Sequence, residues 1–240
     1  MKLLFSGASG FLGNNIISIL KEKYDVRSMG LTTQDDYQVN IAKGINEFDE
    51  KFDIVIHAVG KAHSVSNSKN EKNQFFQINF QGTKNICAAL ERNPPKSFIF
   101  ISTVAVYGVE NGFNIDESHP LNGSTPYALS KIEAENFLTE WCAKHNVKLS
   151  ILRASLIAGK NPPGNLGAMI DGIKTGKYFR IGKGDARKSV IMAEDIARLI
   201  TKVIEKGGIY NVCDNHHPSF YELEELIAKQ LNKKSTKTIP

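Results

Sequence analysis

Two residues able to move protons stand four positions apart in Tyr127-Ala-Leu-Ser-Lys131. Positions i and i+4 share one helix face, and the apolar residues that follow recur at helical spacing, which predicts a long helix with this pair pointing away from the core. A phenol titrates near pH ~10, and a nearby cation favours the phenolate and lowers its pKa. The pair could therefore perform general acid–base chemistry. Taken alone, the pair fits better with the simpler alternative, an ordinary helix start with an exposed lysine.

A second candidate site is the glycine-rich turn Gly7-Ala-Ser-Gly10-Phe-Leu-Gly13, which follows a short apolar strand and opens a helical pattern. In that context Gly7 permits a tight turn, and Gly10 lets a pyrophosphate approach free backbone N–H groups. Gly13 allows close helix–strand packing. The turn therefore predicts a dinucleotide site. The cofactor-contacting residues predicted in it are Gly7, Ser9, Gly10, Phe11, Leu12 and Gly13.

The sequence leaves the choice between NAD and NADP open. An acidic residue about 20 positions beyond the glycines would bind the adenosine ribose of NAD. The predicted second strand, residues 25–30, instead ends in Met29-Gly30, with Leu31 and two threonines after it. Asp35 or Asp36 could reach back from the loop, or these small residues could leave room for a 2′-phosphate.

Other chemistry-bearing residues stand at the ends of predicted strands. The apolar segment 52–60 ends in Ala58 and Gly60, small residues against which a cofactor could lie. Strand 97–103 ends in two hydroxyls, Ser102 and Thr103. Because ligands bind at the carboxyl edge of open α/β sheets, these ends, the glycine turn and Tyr127 should converge on one crevice.

The order of elements predicts an α/β fold, a Rossmann-type doubly wound parallel sheet with a smaller C-terminal substrate lobe. Strands and helices alternate regularly over residues 1–153. The pattern is less regular over residues 154–240, which we assign to the smaller lobe, with some segments able to return to the sheet.

Composition and charge narrow the functional classes. The chain has 240 residues, of which 41% are hydrophobic and 23% charged, as in an ordinary globular protein. A net charge of +5 fits a solvated surface or anionic small ligands better than nucleic acid. The three cysteines lack metal-ligand spacing, which predicts reduced thiols in a cytoplasmic protein and no metal site. We find no signal peptide or membrane-length apolar run.

Together the motifs resemble the extended short-chain dehydrogenase/reductases, specifically the NAD-dependent epimerase/dehydratase group acting on nucleotide sugars. The resemblance covers essentially the whole chain and rests on Gly7-x-x-Gly10-x-x-Gly13, Asn79-x-x-Gly82-Thr83, Ser102-Thr-Val-Ala-Val-Tyr107-Gly108, Tyr127-x-x-x-Lys131, and Leu152-Arg153 followed by Gly159. It implies that Tyr127 is the acid/base, that Lys131 binds the nicotinamide ribose and lowers the tyrosine pKa, and that Thr103 hydrogen-bonds the reacting oxygen. Ser102 is a weaker candidate for that last role.

The resemblance implies further cofactor contacts. Ala58, Val59 and Gly60 would line the cofactor, which is NAD or NADP. Asn40 and Ile41 would lie near the adenine, with asparagine where the family commonly has aspartate.

Three residues are candidates for substrate binding. Asn165 and Arg187 match positions that bind the nucleotide diphosphate, and the planar fork of arginine suits phosphate oxygens. His63 could face the substrate. Solvated loop positions remain the alternative for His63 and Arg187.

The implied activity is hydride and proton transfer at a carbinol or ketone of a UDP-hexose or UDP-N-acetylhexosamine, by a 4-epimerase or 4-ketoreductase of polysaccharide biosynthesis. Val104-Ala105 after Thr103 argues against a dehydratase, which usually carries acidic residues there. Two alternatives remain: a ketoreductase of a non-sugar carbonyl, and a non-enzymatic relative that senses a dinucleotide or binds RNA. By analogy we also expect a homodimer, and a chain that in relatives continues beyond the position of Ile239-Pro240.

Overall fold

The computed structural model describes residues 1–62, 68–234 and 236–239. Its central sheet contains the strands β1 (Lys2–Ser6), β2 (Asp25–Gly30), β3 (Tyr37–Gln38), β4 (Ile54–His57), β5 (Ser97–Thr103), β6 (Lys148–Ala154) and β10 (Gly208–Val212). Their order across the sheet is β10-β6-β5-β4-β1-β2-β3. Every neighbouring pair is parallel, so all seven carboxyl ends lie at one edge.

The inner strands form because their side chains are apolar on both faces. All four residues of β4 are buried, as are six of the seven residues of β5. Strands covered by helices on both sides read as continuous apolar runs. For this reason the sequence pattern correctly predicted strands at β4 and β5.

Helices cover both faces of the sheet. On one face, α1 (Phe11–Lys21) and α6 (Ala193–Val203) share a core that includes Ile16 and Ile200. On the other, α3 (Gly82–Ala89) and α4 (Pro126–Lys144) bury Ile86 and Leu138 among others. The predicted doubly wound Rossmann-type fold is confirmed.

The helical stretch predicted over residues 71–92 is continuous but not uniform. It begins as α2 (Lys69–Phe75), passes through a six-residue π-helical turn (Phe76–Gln81), and continues as α3. A Cβ on Gly82 would stand 2.6 Å from Cδ1 of Ile41, so close packing explains the glycine in mid-helix. π turns of this kind often occur at functional sites.

The catalytic candidates sit at the start of α4, where local signals fix the first turn. The Thr125 hydroxyl accepts a hydrogen bond from the N–H of Ala128 at 3.1 Å, and Pro126 takes the first helical position. Both residues favour a helix start, the first as an N-cap and the second through its fixed φ. Tyr127 is therefore held in the first turn.

The helices and strands after residue 154 fall into two groups. In the first group, β10 pairs with β6 at the edge of the central sheet, and α6 packs on α1. The remaining elements are β7 (Leu156–Ala158), α5 (Gly164–Thr175), β8 (Phe179–Ile181), β9 (Val190–Met192), α7 (Phe220–Gln230) and β11 (Lys237–Ile239). α5 and α7 pack through a small apolar cluster, and the capping box of Ser219 and Glu222 starts α7.

Candidate active site

The glycine turn has the shape that a dinucleotide pyrophosphate requires. Gly7 has a φ of +92°, and a Cβ there would lie 2.8 Å from the backbone nitrogen of Val59. A Cβ on Gly13 would lie 2.2 Å from the carbonyl oxygen of Ala8. Gly10 is the N-cap of α1 with no side-chain cap and no acidic residue in the first turn. The first backbone N–H groups of α1 are thus available to an anion, and the turn fits the cofactor.

The carboxyl end of β4 lies next to the lysine of α4. A Cβ on Gly60 would stand 3.9 Å from Nζ of Lys131 and 3.4 Å from Oδ1 of Asn79. The Asn79 side chain accepts from the N–H of Lys61 at 2.8 Å and donates to the Ser130 hydroxyl at 2.9 Å. Asn79, which lies in the π-helical turn, therefore joins the loop after β4 to α4.

Lys131 is buried, which the helix-face prediction did not anticipate. Its side chain is only 3% exposed; Nζ donates to the carbonyl oxygen of Ile101 at 2.7 Å and lies 3.9 Å from the ring centroid of Phe100. The prediction that it points away from the core is wrong, because β5 lies directly beneath this face of α4. Burial lowers the pKa of Lys131 to about 7, and the Glu135 carboxylate opposes that shift.

Tyr127 and Thr103 meet at this edge. The half-buried Tyr127 is hydrogen-bonded to the Thr103 side chain, which tends to lower the phenol's pKa, but desolvation outweighs it and raises the pKa above its ordinary value. The expected lowering of this pKa by Lys131 is therefore not found. The ammonium of Lys131 is committed to the Ile101 carbonyl, and burial disfavours a charge on either group.

A buried ion pair lies one helical turn beyond Lys131. Glu135 and Arg153 are each 3% exposed, and Nη2 of Arg153 lies 2.7 Å from Oε2 of Glu135. The Ser102 hydroxyl donates to the other carboxylate oxygen. Ser102 is thus engaged beneath the site, which favours Thr103 over Ser102 as the hydroxyl facing a substrate.

The same network reaches the long segment between β5 and α4. Nη1 of Arg153 donates to the Tyr107 hydroxyl at 2.9 Å and to the carbonyl oxygen of Glu117 at 3.2 Å. Tyr107 in turn donates to Oδ1 of Asn211 on β10 at 2.6 Å, and Asn211 donates to the carbonyl oxygen of Ile115 at 2.9 Å. These bonds tie residues 108–125 to the sheet.

Asn40 and Ile41, the residues predicted to lie near the adenine, both make contacts within the protein. Oδ1 of Asn40 accepts from the N–H of Ala42 at 3.1 Å and caps a short 3₁₀ turn, which leaves the amide Nδ2 for a ligand. Ile41 is buried against α3, and its carbonyl accepts from Asn85 at 2.6 Å.

The substrate candidates lie in the second part of the chain. Asn165 is exposed in the first turn of α5. Arg187 is exposed, and its Nη1 donates to the carbonyl oxygen of His217 at 2.8 Å and lies 3.3 Å from Glu222. Within the described ranges no hydrogen bond or ion pair links either residue to Tyr127, Thr103 or Lys131. His63 lies outside the described residues.

The sequence patterns did not predict one pair of long-range hydrogen bonds, between Asn15 and Lys160. Oδ1 of Asn15 on α1 accepts from the N–H of Lys160 at 2.6 Å, and its Nδ2 donates to the Lys160 carbonyl at 3.1 Å. The cofactor helix is thereby joined to the segment leading into α5. An asparagine on an amphipathic helix gives no sign of a partner 145 positions away.

The structure was also searched for membrane-spanning helices and for metal sites, and both results concern the described residues. Over residues 1–62, 68–234 and 236–239, none of the helices has both the length and the apolarity of a membrane span. In those same ranges no three His, Cys, Asp or Glu side chains are grouped to hold a metal ion.

Comparison with known proteins places this site in context. The model of the "NAD dependent epimerase/dehydratase family" matches residues 3–213. The N-acetyl-alpha-D-glucosaminyl-diphospho-ditrans,octacis-undecaprenol 4-epimerase of Escherichia coli O157:H7 is 30% identical over 246 residues, covering 97% of this chain and 73% of that protein.

Two solved structures share the fold across nearly the whole chain. The UDP-glucose 4-epimerase of Thermus thermophilus, in complex with NAD, has a TM-score of 0.82 at 20% identity and covers 100% of this chain and 86% of its own. The UDP-N-acetylglucosamine 4-epimerase of Methanobrevibacter ruminantium M1, in complex with UDP-N-acetylmuramic acid, has a TM-score of 0.82 at 21% identity and covers 99% and 84%. The predicted family, the enzyme class and the nicotinamide dinucleotide cofactor are confirmed.

The buried ion pair predicts a large stability effect. Glu135→Gln keeps the side-chain shape but leaves the Arg153 charge buried without its counter-ion, so the free energy of unfolding should fall by about 3–5 kcal/mol. Urea denaturation measures it. The matched control is Glu47→Gln in the exposed Arg92–Glu47 pair, which should cost less than about 1 kcal/mol. Equal losses in the two variants would contradict the account.

The pKa of Lys131 predicts a pH dependence of stability. The folded chain releases this proton near pH 7, whereas an unfolded lysine holds it to about pH 10.4. Between those values the unfolded state binds more protons, so the free energy of unfolding should rise with pH. Wild type should therefore gain stability relative to Lys131→Met between about pH 7 and pH 9 in urea titrations of nucleotide-free protein. The exposed Lys148→Met variant is the control, and parallel curves for wild type and Lys131→Met would refute the prediction.

Proposed function

Because the chain belongs to the NAD dependent epimerase/dehydratase family, we propose that it is a nucleotide-sugar 4-epimerase with Tyr127 as its acid/base. One observation carries the proposal. Tyr127, hydrogen-bonded to Thr103, and Lys131, beside Gly60, occupy the same carboxyl edge of the sheet as the glycine turn.

The proton chemistry follows from this arrangement. Tyr127, as the phenolate, would take the proton from the sugar 4-hydroxyl and later return it to the ketone oxygen. The Thr103 hydroxyl would donate to that same oxygen and hold it within reach of the phenol. A bound nicotinamide supplies a reversible hydride acceptor at this position.

Lys131 would act on the cofactor beside the phenol. It lies next to Gly60, where a nicotinamide ribose would pass, and its Nζ would donate a hydrogen bond to a ribose hydroxyl. With a pKa of about 7, Lys131 can hold or release its proton near neutral pH. The buried network through Glu135 would keep its helix in place.

The substrate we propose is a UDP-hexose or UDP-N-acetylhexosamine. Arg187 supports diphosphate binding, because its Nε and Nη2 donate no hydrogen bond within the described ranges and can pair with phosphate oxygens. Asn165, at the exposed start of α5, would donate its side-chain amide to the same diphosphate.

A second substrate class shares this chemistry. The Escherichia coli relative is named for a sugar joined through a diphosphate to undecaprenol. Both classes present a hexose on a diphosphate, and they differ only in what lies beyond it. A 4-ketoreductase is the remaining alternative, and it would consume reduced cofactor, whereas an epimerase regenerates it.

The test is epimer formation from UDP-glucose, UDP-N-acetylglucosamine and a polyprenyl-diphosphate N-acetylglucosamine, followed by mass spectrometry and NMR. We expect turnover without net consumption of cofactor on one of the UDP-sugars. Tyr127→Phe removes the acid/base and should lower kcat by roughly 100-fold or more.

Tyr24→Phe is the matched control, since Tyr24 precedes β2 at the amino edge of the sheet, and it should leave kcat unchanged. Full activity of Tyr127→Phe would refute the assigned role. Turnover of the polyprenyl substrate alone would refute the UDP-sugar assignment and leave the chemistry intact.

A further inference from the structure

A buried histidine beneath the candidate site has no part in the proposed chemistry. His57, the last residue of β4, is 0% exposed and has a polar neighbour at each ring nitrogen. Nδ1 lies 3.2 Å from Oγ of Ser6, and Nε2 lies 3.0 Å from Oγ1 of Thr83. Ser6 immediately precedes the glycine turn, and Thr83 lies in the first turn of α3. The imidazole therefore joins β1 to the helix that follows the π-helical turn.

The direction of the hydrogen bonds fixes which nitrogen of His57 carries the proton. The Thr83 hydroxyl donates its one hydrogen to the carbonyl oxygen of Asn79 at 2.6 Å, so it can only accept from Nε2. Complete burial, together with the nearby charge of Lys131, lowers the pKa of His57 to about 3. The ring is therefore neutral and has a single N–H, on Nε2. Nδ1 is then the acceptor for the Ser6 hydroxyl.

The hydrogen bonds keep this direction on the far side of Asn79. Its Nδ2 donates to the Ser130 hydroxyl at 2.9 Å, and that hydroxyl donates to the carbonyl oxygen of Tyr127 at 2.8 Å. The N–H of Lys61 donates to Oδ1 of Asn79, which fixes the orientation of the amide. Each bond on the path from Ser6 to Tyr127 thus points toward α4.

Five fully buried side chains form this path, which we call the His57 network: Ser6, His57, Thr83, Asn79 and Ser130. A buried polar group that loses its partner has no water to replace it, so each member holds the next in one orientation. The network ends on the backbone carbonyl of Tyr127, which accepts a hydrogen bond but passes no proton to the phenol. It can therefore position Tyr127 but cannot carry a proton to it.

We propose that His57 is a positioning residue for Tyr127. Its Nε2–H holds the Thr83 hydroxyl on the carbonyl of Asn79, and the π-helical turn then presents the Asn79 amide to Ser130 and to the first turn of α4. The inference rests on the proposed function, since it requires Tyr127 to be the acid/base. A misplacement of about 1 Å in a reacting group can lower the rate about 100-fold. Loss of this bond should therefore lower kcat and leave substrate affinity nearly unchanged.

Two substitutions of His57 separate the two ring nitrogens. His57→Gln places an amide N–H near the position of Nε2 and can still donate to Thr83, whereas His57→Asn reaches only the position of Nδ1 and keeps only the Ser6 contact. For the sugar substrate that wild type turns over, His57→Asn should lower kcat by about tenfold or more with KM within about threefold. His57→Gln should keep kcat within about threefold of wild type.

A purely structural role of His57 predicts a different result. Each variant loses one buried hydrogen bond, so loss of stability alone would affect both to a similar extent, as urea denaturation measures. A second pair of variants repeats the test at the next bond of the network. Thr83→Val removes the hydroxyl at nearly constant volume and should behave as His57→Asn does, whereas Thr83→Ser keeps the hydroxyl and should retain wild-type kcat.

NMR of nucleotide-free protein with ¹⁵N-labelled histidine tests the geometry without any turnover. The resonances of His57, identified by their loss in His57→Gln, should show a proton on Nε2 and none on Nδ1 between about pH 5 and pH 8. A proton on Nδ1, or a charged ring in that range, would overturn the inference, because the bond to Thr83 would then have another direction.

The kinetic outcomes separate this inference from the proposed function. Equal kcat in the two His57 variants, or an unchanged kcat in Thr83→Val, would overturn the positioning role while the epimerase assignment stands. Absence of turnover by wild type on every substrate of the panel would instead overturn the proposed function. The link to Tyr127 is then measured on the ¹³Cζ resonance of its ring, assigned with Tyr127→Phe. His57→Asn should move this resonance and His57→Gln should leave it in place, and the same response in both variants would overturn the inference as well.

Discussion

The buried ion pair between Glu135 and Arg153 is the interaction on which the site depends most. Two charged groups, each 3% exposed, are costly to desolvate, and they are tolerated because each satisfies the other. The pair joins α4 to β6, and Ser102 adds the end of β5. Removing one member would leave a charge with no partner, so the rotation of α4 about its axis is tightly constrained.

The orientation of α4 determines where the candidate site residues lie. Lys131 lies one turn before Glu135, so in this orientation its ammonium lies over the Phe100 ring and donates to the carbonyl oxygen of Ile101. Tyr127, a further turn back, then meets Thr103 at the end of β5. From Arg153 the network continues through Tyr107 into the loop above the site.

Much of this frame could be predicted from the sequence. The buried parallel strands are continuous apolar runs, and the glycine turn stands between a strand and a helix. These patterns predicted that the strand ends and the glycine turn lie at the same edge of the sheet. Helical spacing showed that Tyr127 and Lys131 share a face. It could not show that this face is covered, because burial of Lys131 depends on how β5 lies beneath α4.

The missed contacts have a common physical origin. Glu135 reads as one polar residue in a helix that is buried on several sides, and its partner Arg153 lies 18 positions away. Asn15 finds Lys160 at 145 positions. The two partners of His57 lie 51 and 26 positions away, on β1 and α3. Local patterns predict elements, whereas these contacts arise only from their packing.

The most direct test of the proposed 4-epimerase chemistry is the fate of deuterium placed at C4 of the UDP-sugar that we propose as substrate. Hydride removal and return at one carbon, with Tyr127 moving only the hydroxyl proton, predicts that both epimers retain deuterium at C4 in ordinary water. Mass spectrometry and NMR of the equilibrated sugars measure this. Replacement of that deuterium by solvent hydrogen would contradict the account, since C4 would then be losing a proton instead of a hydride.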